Sequence, residues 1–359
     1  MINPLKLQEA IRHAEVDTPV FLGEGVWHHA WKVRKNGSDW VLRIPKEIAY
    51  GQPVLYDEAV LKAEYGGTEL YYAVVNQAVK GAAPMHYSFF VTEELTYTLE
   101  SFAGTAIELA EINREAAFQL GQDIGEIYRE TEKIPHGLSG YGFLAWSTEE
   151  GLRGSIAGDA HQGLKEESEE QLADYETLCQ SHPELKSEAV EKAIHWAAAL
   201  RQQRFTMPLL TNQDASPENI LMNGTQVCLI DPYPIVYYPR GMAGNFINLY
   251  ENYFVSLSAT ERYRKHRFDV HEAKMKAIAE GFLAGYSEGN TEIVREVRGE
   301  QLLQVLESAF SHLQLLEGEL RKETEIRFGT KKEIAARLPL FLTELERLAA
   351  ININNESIV

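Results

Sequence analysis

The segment TNQDASPENILMNGTQVCLIDP, residues 211–232, holds three oxygen-bearing side chains in an order that a plain strand–turn–strand does not need. Asp214 follows the apolar pair Leu209–Leu210 and precedes a loop closed by Pro217. Asn219 opens the apolar run NILM, and Asp231 stands at the end of the run QVCLI. Between these two runs Asn223–Gly224 is a strong hairpin signal. An ionised carboxylate only accepts hydrogen bonds, and an amide adds one acceptor oxygen to its donors. Carboxylate and amide oxygens also suit Mg2+, a hard cation that takes oxygen ligands and keeps several of its waters. At strand ends around one mouth, the first Asp would take a hydroxyl proton while the Asn and the second Asp hold metal ions. That is the equipment of phosphoryl transfer.

Other segments must place these residues. Before residue 104 the chain alternates in strand fashion: VFLGEG and WHHAWKVR flank a tight glycine turn, NGSD reads as a hairpin turn, and WVLRIP is β-rich. TELYYAVVNQAVKG predicts a helix with Thr68 as its N-cap, ended by Gly81 and Pro84. SFFVTEE and YTLESFAG predict two further strands. Beyond Gly104 the pattern turns helical, over about 107–132, 164–180, 186–204, 256–287, 291–322 and 331–350. The glycine-rich interval 135–163 reads as loop and hairpin, and MINPLKLQEAIRHAE as a short amphipathic helix. The expectation is an α+β chain of two lobes, a small β-rich lobe over 1–103 and a larger, mainly helical lobe over 104–359.

With these elements around it, the 211–232 segment resembles the catalytic and metal-binding loops of the protein-kinase-like superfamily, closest in look to its aminoglycoside phosphotransferase branch of small-molecule kinases. The resemblance spans roughly residues 18–255, the remainder matching only in being helical. It implies a two-lobed kinase-like fold with ATP between the lobes, Asp214 as the catalytic residue, and Asn219 and Asp231 as ligands of Mg2+. Gly23-Glu24-Gly25 resembles the loop whose backbone covers the nucleotide phosphates, with His28 and His29 where the third glycine of the pattern falls. VLRIP puts Arg43 in the place of the family's strand Lys, and Arg can supply the same charge to the α- and β-phosphates. The family's helix in this lobe carries a Glu that pairs with that basic residue; Glu58, Glu64 and Glu69 are candidates, and Glu69 is the choice. YTLESFAGTAIEL resembles the segment joining the lobes, where the backbone of Glu100, Ser101 and Phe102 would meet the adenine edge and Gly104 would permit the turn.

The sequence also departs from the family pattern. Asn212 replaces the loop His, Pro232–Tyr233 replaces Phe–Gly, and Asn248 stands where a further Asp is usual. GLSGYGFLAW and GLRGS look like the insertion that small-molecule kinases carry, and nothing resembles the activation segment of protein kinases, which disfavours that activity.

A chain of 359 residues with 45% hydrophobic residues is large enough for two lobes. Its net charge of −19 argues against nucleic acid as a partner, since that affinity depends on neutralising phosphates. The same charge disfavours an anionic membrane surface, and no apolar run has the length of a membrane span. Two cysteines make no disulfide framework, Cys228 reads as an inert core thiol, and a reducing cytoplasm fits both. The expected function is ATP-dependent transfer of the γ-phosphate to a hydroxyl of a small molecule: an aminoglycoside- or macrolide-like antibiotic, an amino alcohol or a sugar. The alternative is a catalytically silent kinase-like binding or structural protein, which the substituted Lys and His positions allow. No segment singles out an acceptor or an oligomeric state.

Overall fold

The computed structural model describes residues 4–356, with side chains described as far as Ile351, and falls into two compact units. Unit 1 comprises Met1–Ile107, Glu130–Ala157 and Leu210–Val236; unit 2 comprises Glu108–Arg129, Gly158–Leu209 and Tyr237–Val359. The division therefore does not follow the single boundary at residue 103 expected from sequence. The 210–236 segment belongs with the N-terminal sheet.

In unit 1, α1 (Pro4–Ala14) leads into an antiparallel sheet of β1 (Asp17–Glu24), β2 (His28–Lys35), β3 (Ser38–Pro45), β6 (Tyr87–Val91) and β7 (Thr96–Ser101), in the order β1-β2-β3-β7-β6. A two-residue pair, β4 (Ile48–Ala49) and β5 (Gln52–Pro53), follows β3. Alternation decides which face is buried: His29, Trp31 and Val33 of β2 point inward, and Trp31 and Val33 pack with Leu42, Ile44, Leu99 and the α1 residues Ala10 and Ala14.

Helix α2 runs over Glu58–Ala78, ten residues earlier than the sequence predicts. Its N-cap is Asp57, whose carboxylate accepts from Val60 N–H at 3.1 Å. Thr68 lies inside the helix and donates its hydroxyl to Glu64 O at 3.0 Å. The helix passes through the pair Gly66–Gly67. Gly67 marks a close approach: a Cβ there would lie 2.7 Å from Leu144 Cδ1. Leu144 belongs to β9 (Tyr141–Ser147), which forms a hairpin with β10 (Gly151–Ile156). This hairpin joins β11 (Leu209–Asn212) and β14 (Pro234–Tyr237) in the order β10-β9-β14-β11. A third sheet, β13-β12-β8, combines the predicted Asn223–Gly224 hairpin, β12 (Ile220–Asn223) with β13 (Gln226–Leu229), and β8 (Thr105–Ala106). Gly104 is obligatory at the entry to β8, with φ +129° and space for a Cβ only 2.3 Å from Met222 O.

Unit 2 is helical: α3 (Arg114–Thr131), α4 (Ala160–Ser181), α5 (Glu188–Arg204), α6 (Pro239–Asn248), α7 (Phe254–Ser256), α8 (Glu272–Ser287), α9 (Thr291–Glu317), α10 (Lys322–Phe328) and α11 (Lys331–Glu356). The single helix expected over 256–287 is instead a short turn of helix, an irregular stretch and α8. Its polar sequence, TERYRKHRFDVH, carries no continuous apolar stripe to hold a helix against a core. Helices α3 and α8 touch backbone to backbone through Gly121, Gly125, Gly281 and Gly285; a Cβ on Gly121 would fall 1.9 Å from Ile278 O. No helix among the described residues is long and apolar enough to cross a membrane.

Arg201 of α5 is buried at 1% exposure and gives Nε and Nη2 to the carboxylate of Glu300 on α9, at 2.8 and 2.6 Å. Its Nη1 donates to Gln171 Oε1 and Glu167 Oε1. Removing one partner of such a pair leaves an uncompensated charge in the interior. Glu300→Ala is expected to cost about 3–5 kcal/mol in urea unfolding, and Arg201→Met with Glu300→Leu to recover most of it.

Candidate active site

The 211–232 loop is held together by its own polar groups. Asn212 Oδ1 accepts from Asp214 N–H at 3.1 Å and from Tyr233 N–H at 2.8 Å, while its Nδ2 donates to Asp214 O at 2.8 Å. Asn212, at the position where the resembled pattern has His, is thus the knot between the Asp214 turn and the segment after Asp231. Ser216 N–H donates to Asp214 Oδ1 at 3.0 Å. Asn219 Nδ2 donates to Asp231 O at 3.3 Å, and Asn219 O accepts from Ile230 N–H at 2.9 Å. Asp231 itself adopts φ +48°, a left-handed conformation that Asp tolerates better than most residues. Asn212 thus ties the Asp214 turn to Tyr233, and Asn219 is tied to the main chain of Asp231.

Asp214 is exposed to solvent, yet enough protein surrounds it that burial raises its carboxyl above the ordinary range. The Ser216 amide opposes that shift, and the Asp231 charge adds to it.

Arg43 lies on the same sheet face as Glu100, because β3 pairs with β7 in the register Val41↔Glu100 and Arg43↔Thr98. Its Nε and Nη2 both donate to Glu100 Oε1, at 3.0 and 2.9 Å. Arg43's carboxylate partner is thus Glu100 on β7, not Glu69, whose side chain stands exposed on α2. Burial opposes the Arg43 charge, but Glu100 and Asp231 together keep its pKa raised. Glu100 Oε2 accepts from Tyr72 Oη at 3.2 Å, and Tyr72 Oη accepts from Asp231 N–H at 3.0 Å. A continuous chain therefore links Arg43, Glu100, Tyr72 and the main chain of Asp231. Tyr72→Phe leaves the Asp231 amide and one Glu100 oxygen unpaired in the interior, an expected loss of about 1–3 kcal/mol in denaturant unfolding.

The backbone of 100–102 is less available than expected. Ser101 N–H donates to His86 O at 2.9 Å and Phe102 N–H to Asp39 O at 3.1 Å, while Glu100 is paired on both sides in the sheet. The Phe102 ring is covered by Lys32 Nζ, 4.7 Å from its centroid. Ala103 N–H, one residue on, has no partner among the described residues. At the β1–β2 turn, Gly23 has φ +152°, and a Cβ on either Gly23 or Gly25 would meet nothing within 4 Å. Space is open over this backbone. The loop is anchored by Glu24, which meets His29 Nδ1 at 3.0 Å and Lys46 Nζ at 3.5 Å.

Sequence reasoning named His28 and Glu64 but missed Tyr65 and Tyr72 beside them. His28 opens β2 on the face opposite His29: its Nε2 meets Tyr65 Oη at 2.8 Å, and burial lowers its pKa to about 4, with Asp231 opposing and Arg43 assisting. Glu64 is pushed up to about 7, first by burial and then by the charge of Asp231. The i, i+4 and i+8 spacing of Glu64, Thr68 and Tyr72 on one helix face was the available signal, hidden by the predicted start at Thr68.

The donor set fits magnesium better than a metal cage. Among the described residues no group of three or more His, Cys, Asp or Glu side chains converges on one point. With Asn219 Nδ2 engaged, its Oδ1 and the Asp231 carboxylate remain as hard oxygen ligands, which suits an ion that draws most of its shell from water and phosphate.

The sheet-rich segment followed by helices, with the 211–232 loop between β11 and β14, has the kinase-like fold of aminoglycoside phosphotransferases. No protein-family model and no curated protein matches the sequence. Solved structures do: aminoglycoside phosphotransferase APH(4)-Ia matches over 96% of this chain and 99% of its own, at 13% identity and TM-score 0.55. A thermostable mutant of the same enzyme in ternary complex with ADP and hygromycin B matches at 13% identity and TM-score 0.54, over 96% and 99% of the two chains. ADP-bound APH(2'')-Ib matches at 13% identity and TM-score 0.52, over the same shares.

Proposed function

We propose that this chain is an ATP-dependent O-phosphotransferase acting on a hydroxyl of a small molecule. The observation that carries the reading is the 211–232 loop of a kinase-like fold, in which Asn212 ties the Asp214 turn to Tyr233, Asn219 bonds the Asp231 carbonyl, and the Asp231 charge reaches Asp214. The fold neighbours crystallised with ADP, AMP-PNP and hygromycin B lend the nucleotide and the hydroxylated acceptor.

In this reading Asp214 accepts the proton of the attacking hydroxyl, and its raised pKa makes it a stronger base than a free Asp. Asn219 and Asp231 hold Mg2+, which when bound neutralises charge on the phosphates. Gly23 and Gly25 lend open space to the nucleotide, the Gly25 N–H being already bonded to His28 O at 2.9 Å. Arg43 spends Nε and Nη2 on Glu100, leaving Nη1 as its donor to phosphate. Ala103 N–H replaces those of Ser101 and Phe102 as the amide donor to adenine. A loose transition state asks for positioning and charge more than for covalent chemistry. Cytoplasm, where ATP is abundant, is the fitting compartment. The neutralisation of Arg43 by Glu100 is the one feature that favours a silent kinase-like protein instead.

Mg-ATP titration separates the two. At a hundredfold excess over Kd, binding stabilises by about 2.7 kcal/mol, an upward thermal shift. Asp231→Ala is expected to abolish the magnesium-dependent part of that shift. An unchanged shift removes Asp231 from the site, and wild-type protein that turns over no ATP with any hydroxylated acceptor supports the silent alternative.

A further inference from the structure

Between α2 and β9 lies an open cavity of about 290 Å3, a size suited to a small ligand. Val60 of α2 and Leu144 of β9 supply aliphatic walls, and Phe143, Trp146 and Tyr233 supply aromatic ones. Phe143 and Tyr233 are 47% and 50% exposed, with ring centroids 5.5 Å apart and planes tilted by 48°. Two large half-open rings in one soluble cavity are an unfilled contact surface for a flat body. Lys62 Nζ sits 4.2 Å from the centroid of the Trp146 ring and helps to fix it. Among the described lining residues, Glu64 is the one carboxyl.

The cavity adjoins the candidate active site. Tyr233 is two residues beyond Asp231, and its N–H is held by the same Asn212 that shapes the Asp214 turn. Glu64 feels the charge of Asp231. A polycation would need several carboxylates in the walls, whereas this site offers apolar and aromatic surface with a single acid.

We propose that this cavity is the acceptor subsite, taking a small alcohol with a flat apolar body and at most one amino group. The inference rests on the phosphotransferase reading above. The acceptor oxygen bonds to the γ-phosphorus of ATP and its proton passes to Asp214. The bond from that phosphorus to the bridging oxygen breaks, and ADP leaves with the electron pair.

The test uses the full chain with Mg-ATP and two acceptors: phenylalaninol, with one ring, one amine and one primary hydroxyl, and kanamycin, a polycation. Phenylalaninol is expected to show a kcat/KM at least tenfold above that of kanamycin. Trp146→Ala, or Phe143→Leu should the first fail to fold, is expected to raise the phenylalaninol KM at least tenfold while the nucleotide Kd stays unchanged. Kanamycin turned over as well or better, or an unchanged KM in a folded variant, overturns the subsite and leaves the phosphotransferase reading standing. Saturation-transfer NMR with phenylalaninol is read alongside. Binding that is lost in Trp146→Ala, with no transfer to any acceptor, overturns the acceptor assignment together with the reading beneath it. No binding at millimolar probe overturns the subsite outright.

Discussion

Asp214→Asn should lose about two to four orders of magnitude in kcat while binding nucleotide as tightly as the wild type. The substitution keeps the side chain's shape and an oxygen to accept from Ser216 N–H, which lies 3.0 Å from Asp214 Oδ1 in the wild type. It removes the ability to take a proton. Because Asn212 organises the turn through main-chain groups, the loop itself should survive the change. Single-turnover kinetics with acceptor, paired with isothermal titration of Mg-ATP, separates chemistry from binding. A kcat within threefold of wild type removes Asp214 from the proton-accepting role. In the active wild type, the acid limb of kcat should lie above the ordinary aspartate range, since burial raises this carboxyl and it must be ionised to act.

The second large effect is on stability, at Glu100. Its side chain is 3% exposed and compensates the partly buried guanidinium of Arg43. Glu100→Ala leaves that cation without its carboxylate partner and frees the Tyr72 hydroxyl from one of its two bonds. The expected cost is about 3–5 kcal/mol in urea or guanidinium unfolding. Combining it with Arg43→Met should return much of the loss, because a buried pair replaced by apolar groups is often near neutral. Glu69→Ala is the control: an exposed side chain outside the network should change stability by no more than about 0.5 kcal/mol. If Glu69→Ala costs as much as Glu100→Ala, the pairing described here is not the one that operates.

What sequence made legible follows from how local each feature is. Asp214, Asn219 and Asp231 sit within one short segment, so their spacing and the hairpin between them carried the pattern without a tertiary frame. Arg43 could be found from VLRIP for the same reason. Its partner could not, because the diagonal meeting of Arg43 and Glu100 depends on the β3–β7 register, set by strands more than fifty residues apart. The amides of Ser101 and Phe102 were misjudged likewise: their acceptors, His86 O just before β6 and Asp39 O on β3, are distant in sequence. The start of α2 was misplaced because Thr68 looks locally like an N-cap, whereas in the fold it lies inside the helix and Gly67 is where another hairpin lands. Propensity lost to packing there.

A helix seated along Gly66 and Gly67 against a hairpin, and pinned through Tyr72 to the main chain beside Asp231, cannot swing outward without losing both attachments. There is no slack at this point for a covalent on-switch to take up. An enzyme built this way would stand permanently armed, its output governed by how much of it is made and by which molecules reach it.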